Sequence, residues 1–280
     1  MDISNPSPGI GPAMNHAPTV EIMAIGTELV MGRVLDTNTH WLEGQIVSLG
    51  GHVRRAMMVE DDRAEIVDAV RDAIRRRTEL LITTGGLGPT PDDVTAACIA
   101  EVAGTTCAPH DPTLDDFVRR RNLKSRDDLT PNLIRMATVP VGATVLQNPA
   151  GWAPCCVLAL DGTTIFVMPG PPREVEGVFT AHVAPVIARR SGIHRLAERV
   201  TVDLWESELA PVIEEVMRRF PGSYLKGYVA MRTAAEDRLP VDVVVSQPDP
   251  DQAAATLQAA IACFEELLRA KGKTVKRGKG

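Results

Sequence analysis

Short apolar runs alternate with amphipathic stretches along the first hundred residues. Apolar runs typical of buried strands lie at 20–25, 53–59 and 80–82, and helical spacing of apolar residues predicts helices at 37–49, 62–77 and 96–103. Strand–helix alternation with short connections predicts an α/β fold with a doubly wound, mostly parallel sheet. In such sheets ligands bind at the carboxyl ends of the strands, so the turns that follow residues 25, 59 and 82 are the first places to search for a site.

The pattern changes near residue 191. Before it, we predict helices at 111–121, 132–137 and 173–190 and strands at 144–146, 155–160 and 164–168. After it, strands at 198–204, 224–230 and 241–246 and helices at 208–220 and 251–270 predict a small α+β domain. The predicted organisation is a disordered lead-in at 1–18, an α/β domain at 19–190, an α+β domain at 191–270 and a basic tail at 271–280.

Composition narrows the class of protein. Of the 280 residues, 44% are hydrophobic and 24% are charged, as in a globular protein, and no apolar run reaches the roughly 18 residues that span a bilayer. We therefore expect no membrane partner. A net charge of −6 argues against a nucleic-acid partner. The five cysteines form no C-x-x-C pair, which excludes common zinc frameworks and suits a reducing cytoplasm. Since aromatic residues are only 4% of the chain, we expect a homo-oligomer that extends its core through a symmetric interface.

The most informative segment is a glycine loop between the predicted strand 80–82 and the predicted helix 96–103. Gly85, Gly86 and Gly88 let the backbone pass close to a ligand, and the first N–H groups of a helix favour an anion such as phosphate. Asp92 and Asp93 then stand where the phosphate would arrive. This juxtaposition of like charges predicts a divalent cation, Mg²⁺ or a similar ion, between carboxylates and phosphate.

Further polar residues follow the other strands at the same predicted edge. Asp61 comes after the second strand and Glu28 after the first, so the predicted metal ligands are Asp93, Asp61, Glu28 and Asp92. Capping of a helix N-terminus explains one of Asp92 and Asp93 equally well, and a structural hydrogen bond is the alternative for Glu28. The predicted substrate-binding residues are Thr27, Glu28, Asn38, Thr84, Gly85, Gly86, Gly88, Pro89, Thr90, Gly170 and Glu174.

Five motifs in order carry a resemblance to a known family. They are Ile25-Gly26-Thr27-Glu28-Leu29 with Asp36-Thr37-Asn38-Thr39; Thr84-Gly85-Gly86-Leu87-Gly88-Pro89-Thr90 with Asp92-Asp93 and Thr95; Thr130-Pro131-Asn132; Leu146, Asn148-Pro149 and Gly151; and Met168-Pro169-Gly170-Pro171-Pro172 with Glu174. Over residues 20–190 the chain resembles the competence/damage-inducible protein A (CinA) family. Residues 191–270 resemble, more weakly, the KH-type domain that follows in such proteins.

The resemblance implies a molybdopterin-binding (MoaB/MogA-like) α/β domain. Members of the family are linked to an ADP-ribose pyrophosphatase activity that needs a divalent metal and sometimes potassium, whereas relatives of the domain bind or adenylylate molybdopterin. By this resemblance Asp93 and Asp61 are the catalytic carboxylates. Many members also carry a C-terminal nicotinamide-nucleotide amidase domain. We do not expect that activity here, because the sequence stops at Gly280, and the absence of a G-x-x-G loop does not favour KH-type RNA binding.

Three functions stay open at this point. The first is metal-dependent hydrolysis of a nucleotide diphosphate such as ADP-ribose, with a carboxylate as the proton acceptor. The second is binding or adenylylation of molybdopterin, and the third is a ligand-binding module without catalysis. Under the first function, Asp93→Ala should reduce turnover strongly and leave the melting curve nearly unchanged.

Overall fold

The computed structural model describes residues 16–232 and 238–277. The predicted lead-in at 1–18 lies almost entirely outside these residues, as do the last three residues of the predicted basic tail. The described chain divides into two compact units. The first contains the residues up to Val47 and Gly51–Arg190, and the second contains Ser48–Gly50 and the residues from Ser191 onward.

The first unit is built on a six-stranded sheet with the order β2-β1-β3-β8-β7-β6. Its strands are β1 (Thr19–Ile25), β2 (His52–Val59), β3 (Leu80–Thr84), β6 (Thr144–Leu146), β7 (Cys155–Leu160) and β8 (Thr163–Met168), while β4 (Cys107–Pro109) and β5 (Thr138–Pro140) form a separate antiparallel pair. Strands β2, β1, β3 and β8 are parallel, and β7 is antiparallel to both of its neighbours. The prediction of a doubly wound, mostly parallel α/β sheet is confirmed.

Eight α-helices surround this sheet in the described part of the first unit. They are α1 (Thr27–Val30), α2 (Thr37–Ser48), α3 (Arg63–Arg75), α4 (Thr95–Val102), α5 (Asp111–Arg121), α6 (Pro131–Met136), α7 (Pro172–Val178) and α8 (Ala184–Arg190). Strand side chains alternate between the two faces of a sheet, so Met23 and Leu81 share one face and pack with Ile66 of α3 and Ile99 of α4. A π-helical turn joins α7 to α8, so the helix predicted at 173–190 is continuous but irregular.

A buried ion pair ties the centre of this sheet to the end of α3. Glu21 of β1 is fully buried, and Arg76 donates to it from Nε at 2.9 Å and from Nη2 at 2.6 Å. The hydroxyl of Thr78 donates to the same carboxylate at 2.6 Å. Burial raises the pKa of Glu21, but the hydrogen bonds from Arg76 and Thr78 and the charges of Arg76 and Arg55 outweigh this effect and lower it.

The second unit is an antiparallel sheet with two helices. It contains β9 (His194–Val202), α9 (Glu206–Arg219), β10 (Ser223–Gly227), β11 (Leu239–Gln247), α10 (Pro250–Ala270) and β12 (Val275–Arg277), with the strand order β10-β11-β9-β12. Alternate residues of β11, including Val241, Val243 and Val245, pack against α9 and α10. A small α+β arrangement is thus present as predicted, and residues 275–277 of the predicted tail pair with β9.

No helix in the described part of the chain is both long enough and apolar enough to cross a bilayer. This finding agrees with the absence of long apolar runs in the sequence.

Candidate functional site

A cavity of 520 Å³ opens at the carboxyl ends of the parallel strands of the first unit. Most of the predicted site residues line it: Glu28, Asn38, Asp61, Thr84, Gly85, Gly86, Gly88, Pro89, Asp92, Asp93, Gly170 and Glu174. Thr27 and Thr90 do not line the cavity, but each is hydrogen-bonded to a lining carboxylate. The structure therefore brings the predicted residues together at one edge of the sheet, because parallel strands bring their following turns together there.

Asp61 and Thr27 join the turn after β2 to the start of α1. The backbone N–H of Thr27 donates to Asp61 Oδ2 at 2.7 Å, and the backbone N–H of Asp61 donates to Thr27 Oγ1 at 3.1 Å. Asp62, next along the chain, caps α3 by accepting from Ala64 and Glu65, as its position suggests. Asp61 is half-buried, and only one of its two oxygens is used by this turn.

The glycine loop approaches the neighbouring turns so closely that it tolerates no side chain at two positions. Gly85 and Gly86 have φ values of +100° and +66°, a region that favours glycine. A Cβ atom on Gly85 would lie 2.1 Å from the carbonyl oxygen of Ile25, and one on Gly86 would lie 2.0 Å from Thr95 Oγ1. The Gly85 N–H donates to Met168 O at 3.1 Å, which ties the loop to the end of β8.

Asp93 folds the glycine loop back on itself. Its Oδ1 accepts from the Gly88 N–H at 2.7 Å, its Oδ2 accepts from the Thr90 N–H at 2.7 Å, and the Thr90 hydroxyl donates to the same Oδ2. Helix α4 begins only at Thr95, so Asp92 and Asp93 precede it and do not lie in its first turn. Asp93 therefore shapes the loop, and any chemical role comes in addition to this structural one.

These contacts decide which loop N–H groups are free for a ligand. Gly85 and Gly88 already donate within the protein, and the N–H of Thr95 donates to Gly86 O at 3.2 Å. In the described part of the chain, the N–H groups of Gly86 and Leu87 have no acceptor, and both residues line the cavity. An anion held by this loop would therefore contact Gly86 and Leu87.

Asn38 and Gly170 connect the loops on the opposite wall. The side-chain amide of Asn38 donates to Gly170 O at 2.7 Å, across 132 residues of sequence. Asp36, which the site prediction left out, accepts from the Thr39 N–H at 2.9 Å at the start of α2 and lines the cavity. Asp36 and Asn38 thus position this wall of the site.

Glu174 sits at the floor of the cavity beside the turn at residues 148–152. Asn148 donates to its Oε2 at 2.6 Å, and a Cβ on Gly151 would lie 1.9 Å from its carboxyl carbon. Burial raises the pKa of Glu174, and the hydrogen bond from Asn148, the charge of Arg120 and the N–H of Trp152 offset only part of this effect. Two motifs 26 residues apart in sequence therefore meet at one carboxyl group.

The electrostatic character of the cavity is acidic. Six carboxylates line it, those of Glu28, Asp36, Asp61, Asp92, Asp93 and Glu174, and no Lys, Arg or His among the described residues does. The structure does not assemble the four predicted metal ligands into a ready-made cage, because no three His, Cys, Asp or Glu groups of the described residues form one. Mg²⁺ is normally bound through one or two carboxylates together with substrate phosphates and water, and the donors present fit that mode.

Apolar residues at the mouth of the cavity were missed by the site prediction. Leu29, Val34 and Leu35 line one side and Met136 another, and Leu35 is 81% exposed. The sequence feature that could have identified them is the mostly apolar segment at residues 29–35, which fits neither a strand nor an amphipathic helix. Such a rim suits the flat face of an aromatic ring system.

Comparison with known proteins agrees with this geometry. Residues 21–189 match the family MoCF_biosynth, described as "Probable molybdopterin binding domain". A protein from Pyrobaculum calidifontis is 34% identical over 256 residues, covering 91% of this chain and 97% of that protein. A "CinA-like protein" from Myxococcus xanthus is 33% identical over 258 residues, covering 90% of this chain and 60% of that protein.

One solved structure is similar in both sequence and fold. It is the crystal structure of the protein CinA from Thermoplasma acidophilum, with 30% identity and a TM-score of 0.56 over 61% of this chain and 98% of that chain. The resemblance stated from five motifs is confirmed. The chain belongs to the molybdopterin-binding-domain family and is CinA-like.

Proposed function

We propose that this protein binds a phosphate ester of a nucleotide or pterin together with a divalent cation, and hydrolyses a nucleotide diphosphate such as ADP-ribose. The observation that supports this function best is a glycine loop with free N–H groups in the same cavity as six carboxylates, with no basic residue among the described residues that line it. A phosphate would be repelled by those carboxylates unless a cation lay between them.

The cavity has a separate place for each part of such a ligand. The free N–H groups of Gly86 and Leu87 suit a phosphate oxygen, since backbone donors in a glycine turn favour anions. The apolar rim formed by Leu29, Val34 and Leu35 suits the purine or pterin ring. A volume of 520 Å³ accommodates a ligand of this size.

Glu28 is the residue best placed to hold a divalent cation, together with substrate phosphates and water. In the described part of the chain the Glu28 carboxylate has no hydrogen-bond partner, and Asp61 keeps one oxygen free. Both oxygens of Asp93 are used by the glycine loop, which leaves Glu28 as the cation ligand. A divalent ion bound there would offset phosphate charge and act as a Lewis acid.

In the hydrolytic step water is the nucleophile and a carboxylate of the cavity accepts its proton. Water attacks one phosphorus of the diphosphate, the bridging P–O bond breaks, and AMP and ribose 5-phosphate are released from ADP-ribose. The free oxygen of Asp61 accepts the proton of the attacking water, since it lines the cavity and is fixed by Thr27.

The second candidate function is binding or adenylylation of molybdopterin. It is favoured by the match of residues 21–189 to the probable molybdopterin binding domain. The same loop and rim serve both ligands, so only the product distinguishes them. A ligand-binding module without turnover is the third outcome.

One assay separates these functions. The pure chain is incubated with ADP-ribose, or with molybdopterin and ATP, each with and without Mg²⁺, and the products are identified by mass spectrometry. We expect AMP and ribose 5-phosphate only when Mg²⁺ is present. Adenylylated molybdopterin would favour the second function, and Mg²⁺-dependent binding without product would favour the third.

A matched pair of variants tests the site. Glu28→Gln removes the free carboxylate of the cavity, whereas Glu176→Gln removes an exposed carboxylate of α7 that does not line it. We expect Glu28→Gln alone to weaken Mg²⁺-dependent binding of ADP-ribose, measured by titration calorimetry. Equal binding by both variants would exclude Glu28 as a cation ligand. Light scattering on the same samples tests the predicted homo-oligomer.

A further inference from the structure

A second cavity, of 390 Å³, lies at the other end of β8 from the glycine loop. Thr164, near the start of β8, lines this cavity, whereas the residues that follow the end of β8 line the first one. The other walls are formed by the end of α4, the turn before β6, strand β7 and the end of α8. The lining residues of the two cavities do not overlap, so the second cavity is a separate site.

Most of the wall of this second cavity is apolar. Its apolar lining residues are Ala103, Val141, Val157, Leu158, Ala159, Leu160, Phe166 and Val186. The cavity exists because β6 pairs with only the first half of β7: Thr144 pairs with Val157, and the chain turns away at Gly142, whose φ is +87°. The edge of β7 from Leu158 to Leu160 is therefore not covered by β6.

One positive charge enters this apolar wall. Arg190, the last residue of α8, is half-buried, and its Nη2 donates to Thr164 Oγ1 at 3.0 Å. Burial lowers the pKa of Arg190, and the charge of Glu79 opposes this effect. The Glu79 carboxylate makes its hydrogen bonds to Thr19 and His16 instead, and in the described part of the chain Arg190 has no ion pair.

An arginine in this position has unused hydrogen-bonding capacity. A guanidinium has five N–H donors and stays charged in proteins, and only one donor of Arg190 is used by a described residue. Partial burial of a charge without a direct ion pair is unfavourable, and a carboxylate accepting two parallel hydrogen bonds would compensate it. The apolar walls add a requirement for an apolar body on the ligand.

We propose that the second cavity binds a small organic carboxylate with an apolar body, with Arg190 as the partner of the carboxylate. A single guanidinium balances the one charge of a carboxylate, whereas a phosphate dianion would bring two charges into the same apolar wall. Thr105, Thr144 and Thr164 also line the cavity, and a threonine hydroxyl can donate to the second carboxylate oxygen. This site is independent of the function proposed for the first cavity.

Ligand-observed NMR on the full chain tests the proposal, with 3-methylbutanoate and phenylacetate as probes. We expect saturable binding of both carboxylates and at least about tenfold weaker binding of 3-methylbutanamide, which has the same shape without the charge. Equal binding of the amide would overturn the proposal. Inorganic phosphate should not displace the carboxylates, and displacement by stoichiometric phosphate would show a general anion site instead.

Three variants locate the binding. Arg190→Gln should weaken carboxylate binding at least about tenfold, whereas Arg189→Gln, an exposed neighbour on α8, should not change it. Ala159→Phe fills the cavity from an exposed position and should abolish binding while Arg190 is intact, so the test does not depend on the folding of one variant. Undiminished binding in Ala159→Phe would overturn the proposal. Glu28→Gln, in the first cavity, should bind the carboxylates as the wild type does.

Discussion

Thr27 and Asp61 hold each other by two hydrogen bonds, each from the backbone of one residue to the side chain of the other. They are 34 residues apart in sequence, and the pair closes the turn after β2 onto the start of α1. Because one Asp61 oxygen is engaged by Thr27 and the other is free, structure and chemistry at this residue can be separated by substitution.

We predict that Asp61→Ala and Asp61→Asn will differ in stability and agree in activity. Asp61→Ala leaves the Thr27 N–H without its acceptor and should lower the free energy of unfolding by about 1–3 kcal/mol. Asp61→Asn keeps an amide oxygen for that N–H, so its unfolding in urea should stay close to the wild type. Both variants lose the carboxylate and should lose Mg²⁺-dependent turnover of ADP-ribose.

Thr27→Val is the control for this pair, since it removes the hydroxyl acceptor and keeps the Thr27 N–H that bonds to Asp61. It should be less stable than the wild type and retain Mg²⁺-dependent binding. Full turnover by Asp61→Asn would show that Asp61 serves structure alone.

Asp93 is expected to be needed for the shape of the glycine loop. Its two oxygens accept from two different N–H groups, those of Gly88 and Thr90. Neither Ala nor Asn can satisfy both, because the Asn side chain would present an NH₂ group to one of the donors. We therefore predict that Asp93→Ala and Asp93→Asn both lower the free energy of unfolding by about 1–3 kcal/mol.

This prediction replaces the expectation from the sequence that Asp93→Ala would leave the melting curve nearly unchanged. Asp92→Asn is the control, since Asp92 is an exposed neighbour in the same turn and the Asn amide oxygen can still accept from Thr90, so it should melt close to the wild type. A wild-type melting curve for both Asp93 variants would mean that the loop does not depend on these hydrogen bonds.

The positions of β1, β2 and β3, and of the turns that line the first cavity, could be predicted because the signals are local. The apolar run at residues 80–82 and the glycines that follow it define β3 and its turn without reference to the rest of the chain. The role of Asp93 could not be predicted, because it depends on how the loop folds back onto Gly88. The contact between Asn148 and Glu174 joins two motifs whose separation in space is set by the pairing of β7 with β8.

The position of the apolar rim could not be predicted from the sequence either. Leu29, Val34 and Leu35 have no helical or strand periodicity, so nothing in their spacing assigns them a place. Their position at the cavity follows from α1, a helix of four residues that the sequence did not predict. Short elements of this kind are fixed by tertiary contacts, here those of Thr27 with Asp61.

Two glycines with almost the same φ angle allow the steric cost of a side chain in the glycine loop to be measured. Gly86 has φ +66° and Gly32 has φ +65°, but a Cβ on Gly32 meets nothing within 4 Å whereas one on Gly86 would lie 2.0 Å from Thr95 Oγ1. We predict that Gly32→Ala lowers the free energy of unfolding by about 1–2 kcal/mol, because alanine must adopt the left-handed conformation. Gly86→Ala should lower it by more, because its Cβ also clashes with Thr95. Urea unfolding of both variants measures the difference.

Replacing Thr95 by Ala in the Gly86→Ala background removes the clashing hydroxyl oxygen. Gly86→Ala should then lower the free energy of unfolding less in the Thr95→Ala protein than it does in the wild type. Equal costs for Gly32→Ala and Gly86→Ala would contradict the close packing of the loop on Thr95.

The buried pair of Glu21 and Arg76 predicts how stability depends on pH. The pKa of Glu21 in the folded protein is below its ordinary value of 4.5, so the folded state binds this proton less readily than the unfolded chain does. Its stabilising contribution is therefore complete above about pH 5 and is lost as the pH falls through the folded-state pKa. Urea unfolding between about pH 6 and pH 3 should show that the free energy of unfolding of the wild type falls as the pH falls. Glu21→Gln should be less stable than the wild type by about 1–3 kcal/mol at neutral pH. Its free energy of unfolding should fall less steeply over the same pH range. Glu65→Gln, at an exposed position of α3, should keep the wild-type slope, and an unchanged slope in Glu21→Gln would mean that other carboxylates dominate the acid response.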